Sequence, residues 1–197
     1  GRFSAGKSCL LNALIGDDIL VVDTDLVRLG LCFIVYGNDV GYAIARDTAD
    51  GSREWLRVDP HALQREADVN RQRSQSAPPS TDYRITAPAD VLRSVRLVDT
   101  PGYDSPSALI HPSWRRDWAE DLILRACSVA DLGILVLNNA ADQADVDMAE
   151  KIAPLCPRII LVISQSHTRH PSDLEMLADY HAETLQHVLG YRPPAFS

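Results

Sequence analysis

Lysine is almost missing from this chain of 197 residues, occurring only at positions 7 and 151. Positive charge is scarce altogether: 19 Lys and Arg stand against 27 Asp and Glu, a net charge of -8. A protein that grips a nucleic-acid backbone gathers basic residues on one face. The arginines here are scattered, so no nucleic-acid partner is expected. Cysteine is equally sparse. Cys9, Cys32, Cys127 and Cys156 form no C-x-x-C pair, which speaks against a zinc framework and for free core thiols in a reducing compartment, hence a cytoplasmic location. No apolar run approaches the ~20 residues that span a bilayer, and no signal peptide is visible. With 46% hydrophobic residues, the chain can bury the core of a single domain and does not read as disordered.

The scarcity of lysine makes the position of Lys7 informative. It stands in GRFSAGKS, residues 1–8, which runs directly into CLLNALIG. In a G-x-x-x-x-G-K-[ST] loop, glycines let successive backbone N-H groups turn inward around an anion, and the helix amino end adds positive potential. Lys7 would hold the β- and γ-phosphates and Ser8 a Mg²⁺ ion. The bland alternative is a glycine turn before an amphipathic helix.

Such a loop follows a buried strand, and the chain begins at the loop itself, so the sequence reads as a fragment lacking its first strand. At the far end, no strand is expected after the helix that closes at Gly190. Between these ends the pattern alternates. A short helix from Cys9 to Ile15 is expected to stop at Gly16 in the left-handed region. Residues 31–36 (LCFIVY) and 41–46 predict two strands joined as a hairpin through Gly37-Asn38. Residues 47–90 lose strong periodicity and read as an insertion, with a helical stretch at 60–71 and a mobile segment around 74–80. A strand is predicted at 93–99, a helix at 112–130, strands at 132–137 and 158–164, and helices at 142–153 and 171–189. Ser172 and Glu175 are spaced as a capping box for the last of these. The apolar runs LGILVL and RIILVIS are those of strands covered on both faces. The fold class is therefore α/β, a P-loop NTPase with a mostly parallel sheet and helices on both faces.

Asp99 closes the predicted strand ahead of Thr100-Pro101-Gly102. A carboxylate at the carboxyl end of a buried strand is where a phosphate-loop enzyme places its metal-side group. Gly102 lets the backbone N-H approach a γ-phosphate that a side chain would obstruct.

Together GRFSAGKSCLLNALIG and LVDTPG resemble the dynamin-like GTPases, particularly the bacterial members, over nearly the whole chain. The resemblance implies one GTPase domain spanning 1–197, binding GTP and Mg²⁺. It also implies hydrolysis, self-association across the nucleotide, and membrane remodelling through regions outside this chain, at the inner face of the membrane. The nucleotide contacts it implies run through Gly1, Arg2, Phe3, Ser4, Ala5, Gly6, Lys7, Ser8 and Cys9, with Asp99, Gly102 and Gln165. Ser4 matches the serine that neutralises charge between β- and γ-phosphates and orients the attacking water. Ser4, Lys7 and Gly102 would act on the transferred phosphoryl group, and Ser8 and Asp99 on the metal.

Two departures from that family stand out. The switch threonine expected about twenty residues after Lys7 is replaced by Leu26-Val27-Arg28, leaving Thr24 as either a metal ligand or part of a solvated turn. The guanine-reading [NT]-K-x-D is replaced by Ser164-Gln165-Ser166-His167, and histidine cannot supply the paired acceptor of an aspartate. Either base recognition is relaxed, or the domain is a degenerate binding partner that no longer hydrolyses. A small regulatory GTPase is disfavoured by the 47–90 insertion. His167 and His170 read as loop histidines rather than metal ligands, His181 and His187 as ordinary helix positions, and Trp114 and Trp118 as core rather than a docking stripe.

Overall fold

The computed structural model describes residues 5–20, 30–73, 81–103 and 115–197. They fall into two compact units. The described residues of one are 8–20, 30–73, 81–101 and 115–122, and those of the other are 5–7, 102–103 and 123–197.

The first unit is built on a five-stranded sheet. Its strands are β1 (Cys32–Tyr36), β2 (Gly41–Asp47), β3 (Arg53–Val58), β4 (Tyr83–Ala87) and β5 (Leu97–Asp99), in the order β3-β2-β4-β1-β5. The helix α1 (Lys7–Ile15) ends at Gly16, φ +80°, as its sequence predicts. Leu11 and Ile15 of α1, with Leu63 and Ala67 of α2 (Pro60–Arg73), belong to one apolar cluster with Ile34, Ile44 and Ile85 of the sheet. Full burial of each such large aliphatic side chain contributes roughly 1.5–3 kcal/mol.

β1 and β2 are both strands, but they do not form a hairpin with each other. β4 lies between them, parallel to β1 and antiparallel to β2. Two missing side chains permit this: a Cβ on Gly37 would lie 2.6 Å from Thr86 Cβ, and one on Gly41 would lie 2.9 Å from Thr86 Oγ1. The hairpin partner of β2 is β3. Their turn is fastened by Thr48 N-H to Ser52 O at 2.8 Å and Ser52 N-H to Asp50 Oδ1 at 3.0 Å. Residues 47–90, which lack strong periodicity, thus supply β3, α2 and β4, the last at the centre of the sheet. The segment 74–80 lies outside the described residues. β5 begins later than the predicted 93, because Asp90–Arg93 forms a 3-10 turn that buries Leu92.

The second unit carries a three-stranded parallel sheet, β6 (Gly133–Leu137), β7 (Ile159–Ile163) and β8 (Ala195–Phe196), in that order. The expectation of parallel strands holds here and for β1–β4. The other three pairings of the larger sheet are antiparallel, so the architecture as a whole is α/β with mixed strand directions. β8 corrects the expectation that no strand follows Gly190: Leu161 N-H donates to Pro194 O at 2.9 Å, which aligns the last residues with β7.

Helix α3 (Arg115–Cys127) ends at Cys127 rather than at the predicted 130, and the predicted start at 112–114 lies outside the described residues; Trp118 is buried, as a core residue should be. Trp114 lies outside the described residues. Helix α4 (Gln143–Ile152) is closed by a reciprocal capping box between Asp142 and Asp145. Helix α5 (Pro171–Leu189) starts differently from the expected Ser172 box. Pro171 occupies its first turn, so the cap falls on His170, whose Nδ1 accepts from Ser172 N-H at 3.3 Å. Leu161 and Leu185 are fully buried in the apolar cluster of this unit.

Candidate functional site

In the five-stranded unit, Ser8 is the second residue of α1 and Asp99 is the last of β5. The Ser8 hydroxyl donates to Asp99 Oδ2 at 2.9 Å across 91 positions of sequence. Asp99 is 8% exposed. It stands opposite Cys32 in the β1–β5 ladder, and Cys32 stands opposite Tyr83 in the β1–β4 ladder. Burial first, and the Asp99 charge second, push the Cys32 thiol well above its ordinary pKa. Burial, with Cys32 and Asp99 beside it, likewise pushes the Tyr83 hydroxyl up. The thiol and phenol stay neutral at pH 7, so neither adds a negative charge next to the carboxylate.

A hydroxyl and a carboxylate in contact at a helix start are hard oxygen donors of the kind Mg²⁺ accepts, so the residues fit that ion. The segment following α1 is tied back by Asn12. This buried side chain accepts from Leu20 N-H at 2.9 Å and donates to Leu20 O at 3.0 Å. Thr24 lies just beyond, outside the described residues, as do Gly1, Arg2, Phe3 and Ser4. Cys9 is exposed on α1 rather than a core thiol.

In the other unit, Ala5 is fully buried and Gly6 has φ +82°. A Cβ built on Gly6 would lie 3.3 Å from Ser164 Cβ. The loop glycine therefore packs on the residue that follows β7, where the guanine-reading motif begins in related GTPases. Ser164 N-H donates to Leu137 O at 2.9 Å, fixing that residue to the sheet.

Gln165 follows with φ 58° and ψ 30°. It is the one non-glycine residue at positive φ among the described residues. A left-handed conformation costs a residue with a Cβ about 1–2 kcal/mol, and such strain gathers at functional loops. Thr168 Oγ1 donates to Gln165 O at 2.8 Å. Arg169 closes the loop by donating to Asn138 O at 2.8 Å and Asn139 Oδ1 at 3.2 Å.

Gly102 and Tyr103 are buried. The Tyr103 hydroxyl donates to Asp145 Oδ1. Asp145 and His181 are the residues that sequence reasoning missed. The signal for Asp145 was present as Asp142-x-x-Asp145, a capping-box spacing. His181 was read as an ordinary helix position, whereas it is fully buried, and burial lowers its pKa below 6.5.

A family model described as the dynamin family matches residues 1–184. The chain belongs to the dynamin family. Among solved structures, this dynamin-family chain is similar to an oligomerised bacterial dynamin pair, described as providing a mechanism for the long range sensing and tethering of membranes. The TM-score is 0.55 at 20% identity, over 100% of this chain and 30% of that one. No curated protein matches it. The dynamin-family assignment carries the P-loop GTPase fold with it. No helix among the described residues is long and apolar enough to cross a membrane.

Proposed function

We propose that residues 1–197 form the GTPase domain of a bacterial dynamin-like protein, which binds GTP with Mg²⁺ and hydrolyses its γ-phosphate. The observation that carries this reading is the Ser8–Asp99 hydrogen bond, which joins the magnesium hydroxyl and the metal-side carboxylate that the two motifs implied. Mg²⁺, when bound, would offset the charge that develops in phosphoryl transfer. Ser4, Lys7 and Gly102 would position and neutralise the transferred group, Ser8 and Asp99 would hold the ion, and Thr24 is the candidate switch ligand. The remaining contacts assigned to the nucleotide are Gly1, Arg2, Phe3, Ala5, Gly6, Cys9 and Gln165. Self-association across the nucleotide, and membrane remodelling at the cytoplasmic face through other parts of the protein, complete the reading; the oligomerised, membrane-tethering neighbour supports it.

A second reading concerns the base. In place of the lysine and aspartate that would read guanine the sequence has Gln165 and His167, in a loop held by Thr168 and Arg169. Loss of a bidentate acceptor removes discrimination of up to ~10⁴-fold, which favours a site with little preference between purine bases. Competition of GTP and ATP for the Mg²⁺-loaded intact protein tests both readings. Displacement by GTP and ATP within tenfold of each other supports relaxed recognition; a preference for GTP above a hundredfold refutes it. Binding without turnover of either nucleotide supports the degenerate, non-hydrolysing alternative.

A further inference from the structure

Gly102 is expected to present its N-H to the γ-phosphate, yet a glycine has more backbone freedom than any other residue. Something must hold the peptide in place, and the next residue carries the means. Tyr103 is 7% exposed, its ring among the apolar side chains of the three-stranded unit, including Leu135, Leu137 and Met148. Its hydroxyl donates to Asp145 Oδ1.

Asp145 is itself held on two sides. Its Oδ2 accepts from Asp142 N-H at 3.0 Å, and its own N-H donates to the Asp142 side chain at 3.4 Å. The carboxylate is 2% exposed and cannot turn away without opening the first turn of α4. On α5, Tyr180 donates to Ala141 O at 3.3 Å and fastens the approach to that turn. The neighbouring His181 is buried and neutral at pH 7, so it brings no competing positive charge to the carboxylate.

We propose that Asp145 is a positioning residue for the γ-phosphate-sensing loop, acting through the Tyr103 hydroxyl to set the orientation of the Gly102 peptide. The assignment rests on the nucleotide reading above. It makes the start of α4 part of the hydrolytic machinery. The contact orders only the segment that meets the third phosphate, so it bears on the triphosphate state and not on the diphosphate.

The test uses Tyr103→Phe and Asp145→Asn in the intact protein, with fluorescent GDP and a non-hydrolysable GTP analogue as probes. Each variant is expected to lower kcat at least tenfold and to reduce the preference for the GTP analogue over GDP at least fivefold, with GDP affinity within twofold of wild type. The double variant is expected to lose no more than the worse single one, because both remove the same contact. An unchanged kcat and nucleotide preference in Tyr103→Phe overturns the proposal while leaving the nucleotide reading intact. GDP affinity falling in step with that of the GTP analogue overturns it as well, since the contact would then be merely structural. Failure of the wild type to bind either probe overturns the nucleotide reading and this proposal together.

Discussion

Substituting Gly6 by alanine tests how the phosphate loop is held. The backbone there has φ +82°, and a side chain carrying a Cβ pays about 1–2 kcal/mol in the left-handed region. The new methyl would also stand 3.3 Å from Ser164 Cβ and 3.7 Å from its Oγ. Ser164 cannot retreat easily, because its N-H is bonded to Leu137 O at 2.9 Å; the loop must move by a few tenths of an ångström instead. The two effects together amount to about 2 kcal/mol, which for a domain of this size lowers Tm by roughly 4–8 °C. Differential scanning calorimetry on Gly6→Ala, Ser164→Gly and the double variant separates them. Ser164→Gly removes the steric part and leaves the backbone strain, so the double variant should be about 0.5 kcal/mol more stable than the sum of the single effects. An unchanged Tm in Gly6→Ala, or strictly additive losses, refutes the packing of Gly6 on Ser164.

Asn12→Ala leaves both backbone groups of Leu20 without their side-chain partner, so urea unfolding should show a loss of about 2–3 kcal/mol with an unchanged m-value. Asp50, at the β2–β3 turn, has its carboxyl held down to about 2 by the Thr48 hydroxyl and then by the Ser52 N-H. Its folded pKa lies below the ordinary 3.8, so its contribution to stability is complete above that value and is withdrawn as pH falls toward 2. Carboxyl chemical shifts followed by NMR should place the midpoint near 2, and a midpoint near 3.8 would contradict the turn geometry.

Much of the architecture was legible because strong local signals agreed with the tertiary outcome. GKS followed by a helix, LVD ahead of TPG, and the apolar runs of β6 and β7 each name their element without help from distant residues. The hairpin was misread because two strands close in sequence need not be partners. Thr86 on β4 needs the bare edges of Gly37 and Gly41 on either side of it, which no periodicity reports. β3 and β4 were hidden by partial exposure and by alternation too short to stand out; Trp55, for example, meets Phe33 edge-to-face and lies beneath Arg84 instead of joining an apolar run. β8 has two residues and takes its place from β7 alone. At the site, Ser8 and Asp99 were readable because motif chemistry fixes both. The Asp142-x-x-Asp145 spacing could show a cap, but the burial of Asp145 and His181 was not readable, since a polar residue inside a core is recognised only when its neighbours are known.

The central claim is that the loop around Lys7 grips a nucleoside triphosphate together with Mg²⁺. Its most direct test is equilibrium titration of the intact protein with fluorescent GTP, in Mg²⁺ and in EDTA, for the wild type and Lys7→Ala. The account predicts micromolar affinity that weakens at least tenfold on removing Mg²⁺ and is abolished by Lys7→Ala. Affinity indifferent to both the ion and the lysine would contradict it.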